Sequence, residues 1–171
     1  MRDQSYIEWA NSISQKIIEA GMDVHKTLGP GLLESIYENS LALELGLREI
    51  RFERQIPVPV FYKKMLAGRS LRLDLIVEDA VIVELKTVDR IIPIHEAQLI
   101  SYLRLTGISV GLILNFNTAL FRDGIKRMVF NFDRRIAGEE GSVVSRDPLF
   151  LSHSSSGPPG LWGSLSRIKG Y

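Results

Sequence analysis

Cysteine is absent from all 171 residues, which removes disulfide scaffolds, thiol nucleophiles and cysteine-based zinc sites in one step. An excess of charge of one sign is missing too. The 21 Lys and Arg stand against 20 Asp and Glu, so no global basic field draws the chain to nucleic acid or an anionic surface, and any such contact needs local clustering. No apolar run approaches the ~18–20 residues that span a bilayer, and Met1-Arg2-Asp3-Gln4 lacks the apolar stretch of a secretion signal. A cytoplasmic protein without membrane contact is therefore expected. What is present, 45% hydrophobic and 24% charged residues, is the composition of an average soluble globular chain. The length suits one domain of ~100–150 residues with a modest extension.

The extension is read at the end. From Glu139 to Tyr171, eight Ser, five Gly and three Pro fill 16 of 33 positions, densest in Ser152-His153-Ser154-Ser155-Ser156-Gly157-Pro158-Pro159-Gly160. Such a segment buries too little apolar area to offset its ordering entropy, and a flexible tail over 139–171 is expected, with the folded domain in 1–138.

Within 1–138 the periods are clear. Ile7, Ala10, Ile13, Ile17, Ala20, Val24 and Leu28 recur at helical spacing up to Gly29-Pro30-Gly31, and a second helix is expected from about Leu32 to Arg48. The period then changes to two. Ile56, Val58, Val60 and Tyr62 alternate with Pro57, Pro59, Phe61 and Lys63, which marks a strand near a sheet edge, since edges tolerate proline. Gly68 is expected to mark a turn. Leu71 to Val77 and Ala80 to Lys86 form a hairpin about Glu78-Asp79, a helix fits Ile94 to Thr106 with Gly107 as its stop, Val110 to Phe116 reads as a buried strand, and Ile125 to Phe130 as a last strand. The fold class that follows is α/β, a mixed central sheet of about four to five strands flanked by helices, with one parallel crossover.

Three charges inside these apolar strands ask for partners. Asp74 interrupts Leu71-Arg72-Leu73-Asp74-Leu75-Ile76-Val77, and Glu84 and Lys86 share one face of Val81-Ile82-Val83-Glu84-Leu85-Lys86. An unpaired buried carboxylate or ammonium costs several kcal/mol. Counting outward from Glu78-Asp79 brings Asp74 opposite Ala80 to Glu84, so all three can converge. Two carboxylates make a hard oxygen site for Mg²⁺ or Mn²⁺, and a neighbouring ammonium can orient a water or neutralise a phosphoryl group, which together imply phosphodiester hydrolysis. The plainer alternative is a structural salt bridge with Arg72 or Arg90 as added partners. Spacing alone does not separate the two. Gln98 and Tyr102, four apart on one helical face with His95 a turn earlier, suit contacts to phosphate or base, though such pairs also occur as rim residues. Glu34 and Tyr37 form a similar pair on the second helix, where Glu34 either adds a carboxylate to the ion or serves as a first-turn acid. His25 is read as a helix-end histidine more readily than as a ligand.

The segment Val24-His25-Lys26-Thr27-Leu28-Gly29-Pro30-Gly31-Leu32-Leu33-Glu34-Ser35-Ile36-Tyr37-Glu38 resembles the signature of the GxxExxY proteins, with Gly31, Glu34 and Tyr37 in the named positions. The likeness runs over about residues 7–132, through Glu53-Arg54-Gln55, Asp74, Glu84-Leu85-Lys86, His95-Glu96-Ala97-Gln98, Tyr102 and Gly111-Leu112-Ile113-Leu114-Asn115-Phe116. That family sits in the PD-(D/E)xK nuclease superfamily. The resemblance implies a restriction-endonuclease-like core, Asp74 and Glu84 as metal ligands with the Leu85 carbonyl as a third, Lys86 orienting the attacking water, Glu34 completing the site, and Gln98 with Tyr102 as a QxxxY element. Leu73 stands where the superfamily's name has proline, a departure that is common.

The function expected is a metal-dependent nuclease acting on DNA. The alternative is a non-catalytic module that binds nucleic acid or a partner on the same fold; the complete Asp74, Glu84, Lys86 set argues against it. Residues 1–138 hold 18 Lys and Arg against 17 Asp and Glu. Local pairs at Arg51 and Arg54, Lys63 and Lys64, Lys126 and Arg127, and Arg134 and Arg135 offer phosphate contacts, with ordinary solvated charge the plainer reading of each. A homodimer enters only by analogy with enzymes that cut both strands of a duplex.

Overall fold

The computed structural model describes residues 4–131. The segment 139–171, the end of the domain at 138 and the pair Arg134 and Arg135 lie outside them.

Helix α1 (Gln4–Leu28) buries Ala10, Ile13, Ile17, Ala20 and Val24, the stripe expected from their spacing. It ends where Gly29 takes φ +68° and donates its N–H to the His25 carbonyl at 2.8 Å. Helix α2 (Glu34–Leu47) follows, burying Tyr37, Leu41, Ala42 and Leu45. The turn between them is clamped from inside. The Tyr37 hydroxyl donates to the Gly29 carbonyl at 2.6 Å and accepts the Leu32 N–H at 3.1 Å, while its ring stacks on Phe116 at 4.6 Å. Tyr37 therefore works as a buried strut beneath the turn that leads to Glu34. Tyr37→Phe leaves two backbone groups without that partner and is expected to cost about 1–2 kcal/mol. Urea unfolding checks it, through a lower midpoint at unchanged slope.

Five strands make one mixed sheet in the order β1-β2-β3-β4-β5: β1 (Phe52–Tyr62), β2 (Met65–Val77), β3 (Val81–Lys86), β4 (Val110–Asn115) and β5 (Ile125–Val129). Only β3 and β4 are parallel, joined through α3 (Pro93–Thr106), whose last turn is capped by Gly107 at φ +72°. Helices α1 and α2 cover one face over Val77, Val83, Leu85, Leu112 and Leu114; α3 covers the other over Leu73, Ile82 and Ile113. Among the described residues no helix is long and apolar enough to cross a membrane.

Three features depart from the expected pattern. The β1–β2 turn is not at Gly68. Tyr62 pairs with Met65, so Lys63-Lys64 is a two-residue turn with φ +48° and +65°, and Gly68 lies inside β2 opposite Val60 at a register shift. Such turns favour Asn-Gly, and with lysine at both positions the sequence gives no turn signal. Secondly, β1 and β2 change faces partway. Ile56, Val58, Leu71 and Leu73 pack toward α3, whereas Phe52, Leu75 and Val77 pack toward α1 and α2, so the two-residue alternation is reset between 52 and 56 and between Leu73 and Leu75. Gln55, with φ +52°, sits at the reversal in β1, and the register on either side sets it opposite Asp74. Thirdly, a short 3-10 helix (Phe121–Gly124) precedes β5, where only glycine fits because a Cβ on Gly124 would lie 2.1 Å from the Asn115 carbonyl oxygen.

Candidate active site

The register decides where the charges meet. Leu75 pairs with Val83 across the β2–β3 hairpin, so one further step outward sets Asp74 opposite Glu84. On β3, Val83 and Leu85 enter the core under α1 and α2, which turns Ile82, Glu84 and Lys86 to the α3 side. Asp74 Oδ2 accepts the Leu85 N–H at 2.8 Å, tying the two strands together beyond their last ladder pair. Lys86 Nζ donates to Glu84 Oε1 at 2.6 Å. Asp74, Glu84 and Lys86 thus form one site, as the spacing implied.

The site is deeply desolvated and short of partners. Glu84 is 3% exposed, and its Oε2 is buried without a hydrogen bond. Among the described residues Lys86 is the only cation within ion-pair distance of either carboxylate, so neither Arg72 nor Arg90 completes a neutral network. Burial, then the charge of Asp74, push Glu84 up to about 7 against the pull of Lys86. Burial also raises Asp74, opposed by the Leu85 N–H and Lys86. Two carboxylates held together in a dry site with one oxygen orphaned are an arrangement that a protein avoids unless a proton or a cation neutralises it.

Glu34, in the first turn of α2, is half-buried, and its charge contributes to raising both Asp74 and Glu84. It is not gathered onto one point with them: among the described residues no three His, Asp or Glu side chains form a ready metal cluster. Gln98 and Tyr102 are brought together, Gln98 Nε2 donating to the Tyr102 hydroxyl at 3.0 Å, and that hydroxyl donates to the Arg72 carbonyl at 3.2 Å. The pair anchors α3 to β2 two residues before Asp74. Burial, then the charges of Glu84 and Asp74, raise the Tyr102 phenol against the Gln98 bond. His95 stays at the start of α3, its Nδ1 accepting the Ile92 N–H at 3.3 Å. His25 bonds the Thr118 carbonyl at 2.8 Å between Phe116 and Phe121, a packing role.

One residue of the site's surroundings escaped the sequence reading. Glu38 Oε2 accepts from Gln55 Nε2 at 2.9 Å, and its Oε1 from Arg54 Nε at 3.0 Å, while Arg54 Nη2 reaches Asn39 Oδ1 at 2.6 Å. This network holds Gln55 in its left-handed conformation opposite Asp74. Nothing in the hydropathy of α2 singles Glu38 out; only the adjoining Glu53-Arg54-Gln55 motif hints at it. Asn115 has a comparable part on the other side of β3, bonding the Val88 carbonyl at 2.7 Å and its N–H at 3.1 Å, which steers the chain leaving Lys86.

A family model described as the PD-(D/E)XK nuclease superfamily matches residues 11–128. No curated protein and no solved structure matches the chain.

Proposed function

The chain belongs to the PD-(D/E)XK nuclease superfamily, and its α/β core is restriction-endonuclease-like; from that premise we propose that it is a metal-dependent nuclease of the GxxExxY type, hydrolysing phosphodiester bonds in DNA. The observation that carries the reading is the orphaned Glu84 Oε2, buried beside Asp74 with a single ammonium for the two carboxylates. A divalent cation fits this donor set. Asp74, Glu84 and the Leu85 carbonyl would hold it, and Glu34, whose charge already acts on both carboxylates, would complete the set from α2. Mg²⁺ or Mn²⁺ bound there supplies an acidified water and offsets charge on the phosphoryl oxygens.

The chain's own groups do the rest. The Leu85 N–H fixes one oxygen of Asp74 and leaves the other for a ligand. The Lys86 ammonium, held at Glu84 Oε1, stands ready to hydrogen-bond the attacking water and orient it in line with the leaving oxygen. Tyr102 and Gln98 keep β2 seated on α3 so that Asp74 stays opposite Glu84.

Labelled single- and double-stranded DNA incubated with the protein and Mg²⁺, Mn²⁺ or EDTA tests the reading. Cutting is expected with either metal, none with EDTA, and none from Asp74→Asn. If the wild type cuts neither substrate, the fold serves instead as a non-catalytic module that binds nucleic acid or a partner.

A further inference from the structure

Many of the cations of the described chain are committed, although among the described residues Lys16, Arg72, Arg90 and Arg104 also lack a carboxylate partner. Arg51 is taken up by Glu78 and Asp79, Arg54 by Glu38, Lys126 by Glu96, Arg48 by Glu19, Asp23 and Glu44, and Arg127 by Asn11. Among the described residues neither Lys63 nor Lys64 has a carboxylate partner; the Lys63 ammonium lies over the Tyr62 ring at 5.4 Å. Both lysines sit at the tip of the β1–β2 hairpin, in a turn where positive φ costs a side-chain-bearing residue roughly 1 kcal/mol relative to glycine. The other such turn, Glu78-Asp79, is offset by Arg51 bonding to both acids. At Lys63-Lys64 no such compensation appears, and backbone strain of this kind is retained where the side chains are needed.

The arm that carries them is also unusual in charge and surface. From Gln55 to Leu73 the chain has four cations, Lys63, Lys64, Arg69 and Arg72, and no acid. Its strands run to 11 and 13 residues against 6 in β3, so the outer part of the hairpin projects past the sheet. The tip exposes Phe61, Tyr62, Met65 and Leu66 at 54%, 65%, 69% and 46%, apolar groups that flank the two lysines on either side. A solvated hairpin does not gather its apolar side chains there without a surface to cover. The same β2 strand carries Asp74 at its other end.

We infer that the β1–β2 hairpin is a clamp for duplex DNA, in which Lys63 and Lys64 bind backbone phosphates while Tyr62 and Met65 pack against the sugar and base edges of the minor groove. The inference rests on the nuclease reading above and adds the class of substrate and its path. Lys64 is ten residues from Asp74 along an extended strand, about 30 Å, which corresponds to roughly nine base pairs from the point of cutting. Charge complementarity favours this occupant. A second copy of the arm would bring lysine against lysine.

The test measures binding of a labelled 30-base-pair duplex by the full chain in EDTA, where no cutting occurs, across a range of salt. Each phosphate contact contributes about 0.9 to the slope of log affinity against log salt. Lys63→Ala with Lys64→Ala is expected to make that slope shallower by about 1.8 and to weaken binding on the order of 10–100-fold at 0.1 M salt. Tyr62→Ala with Met65→Ala is expected to weaken binding at all salt concentrations without changing the slope. Thermal melts verify that both double variants are folded. An unchanged slope and affinity in the lysine variant, beside a wild type that binds and cuts duplex, overturns the clamp and leaves the nuclease reading standing. Loss of self-association in sedimentation, with duplex binding intact, overturns it in favour of a contact between copies. A wild type that neither binds nor cuts DNA overturns both.

Discussion

Glu84→Gln is expected to stabilise the metal-free protein at pH 8 while lowering cleavage by at least about 10³-fold. The two effects have one cause. Glu84 is held in the fold at a pKa of about 7, against an ordinary value of 4.5, chiefly by burial and by the neighbouring Asp74. A carboxylate whose folded pKa is raised binds its proton more tightly in the folded state. Its favourable contribution is therefore complete below about 4.5 and disappears as the pH rises through 7. The difference amounts to about 3 kcal/mol, or on the order of 10 °C in melting temperature. Glutamine keeps the volume and an acceptor for Lys86 and removes the charge. Melts in EDTA from pH 4.5 to 8.5 should show the wild type losing stability across that window and Glu84→Gln losing less, its remaining slope coming from Asp74, which burial also raises. Mg²⁺ should then reverse the order at pH 8, since a cation at about 1,000 times its Kd adds about 4.1 kcal/mol to the wild type and nothing to the variant. A wild type indifferent to both pH and Mg²⁺ would remove the grounds for a metal site.

The strands that carry Asp74 and Glu84 belong to the part of the molecule that the sequence displays well. Apolar spacing marked α1, α3 and β4, and the Glu78-Asp79 turn set Asp74 opposite the stretch Ala80 to Glu84, which the register narrows to Glu84, because a hairpin register follows from where the chain reverses. Elsewhere the local signal was silent. The Lys63-Lys64 turn contains neither glycine nor asparagine, so Gly68 drew the turn away from it. Tyr37 offered a phenol at the right spacing from Glu34, yet its hydroxyl is consumed by Gly29 and Leu32. Tyr102 likewise serves the Arg72 carbonyl, a partner thirty residues away that no helical spacing reveals. The reversal of faces at Gln55 and Asp74 was hidden for a related reason. Leu71, Leu73, Leu75 and Val77 alternate without a break in sequence, and only a residue in the left-handed region of an opposing strand shows that the alternation is reset between the middle two.

Glu38→Ala tests what that reversal is for. The substitution removes the carboxylate shared by Arg54, which keeps only Asn39, and Gln55, whose side chain has no other hydrogen bond among the described residues to help hold its φ at +52°. Breaking a buried pair costs 3–5 kcal/mol, but Arg54 is 35% exposed, which brings the expected loss to about 2–3 kcal/mol. The larger effect should appear at Asp74. If β1 relaxes to regular extended backbone, the strand opposite turns with it, and Asp74 no longer faces Glu84. A misplacement of about 1 Å at a reacting centre costs about 10²-fold, so kcat should fall by that factor with KM little changed. A positioning role also predicts that the Mg²⁺ concentration giving half-maximal thermal stabilisation rises 10–100-fold, as when a group supporting a metal ligand is lost. Glu38→Gln, which keeps one acceptor oxygen, should fall between wild type and alanine. Gln55→Gly gives the complementary arm: glycine adopts the left-handed conformation without Glu38, and cleavage should stay within about tenfold of wild type. Lower stability in Glu38→Ala with an unshifted Mg²⁺ midpoint would reduce Glu38 to a strut, and the face reversal to a feature of packing alone.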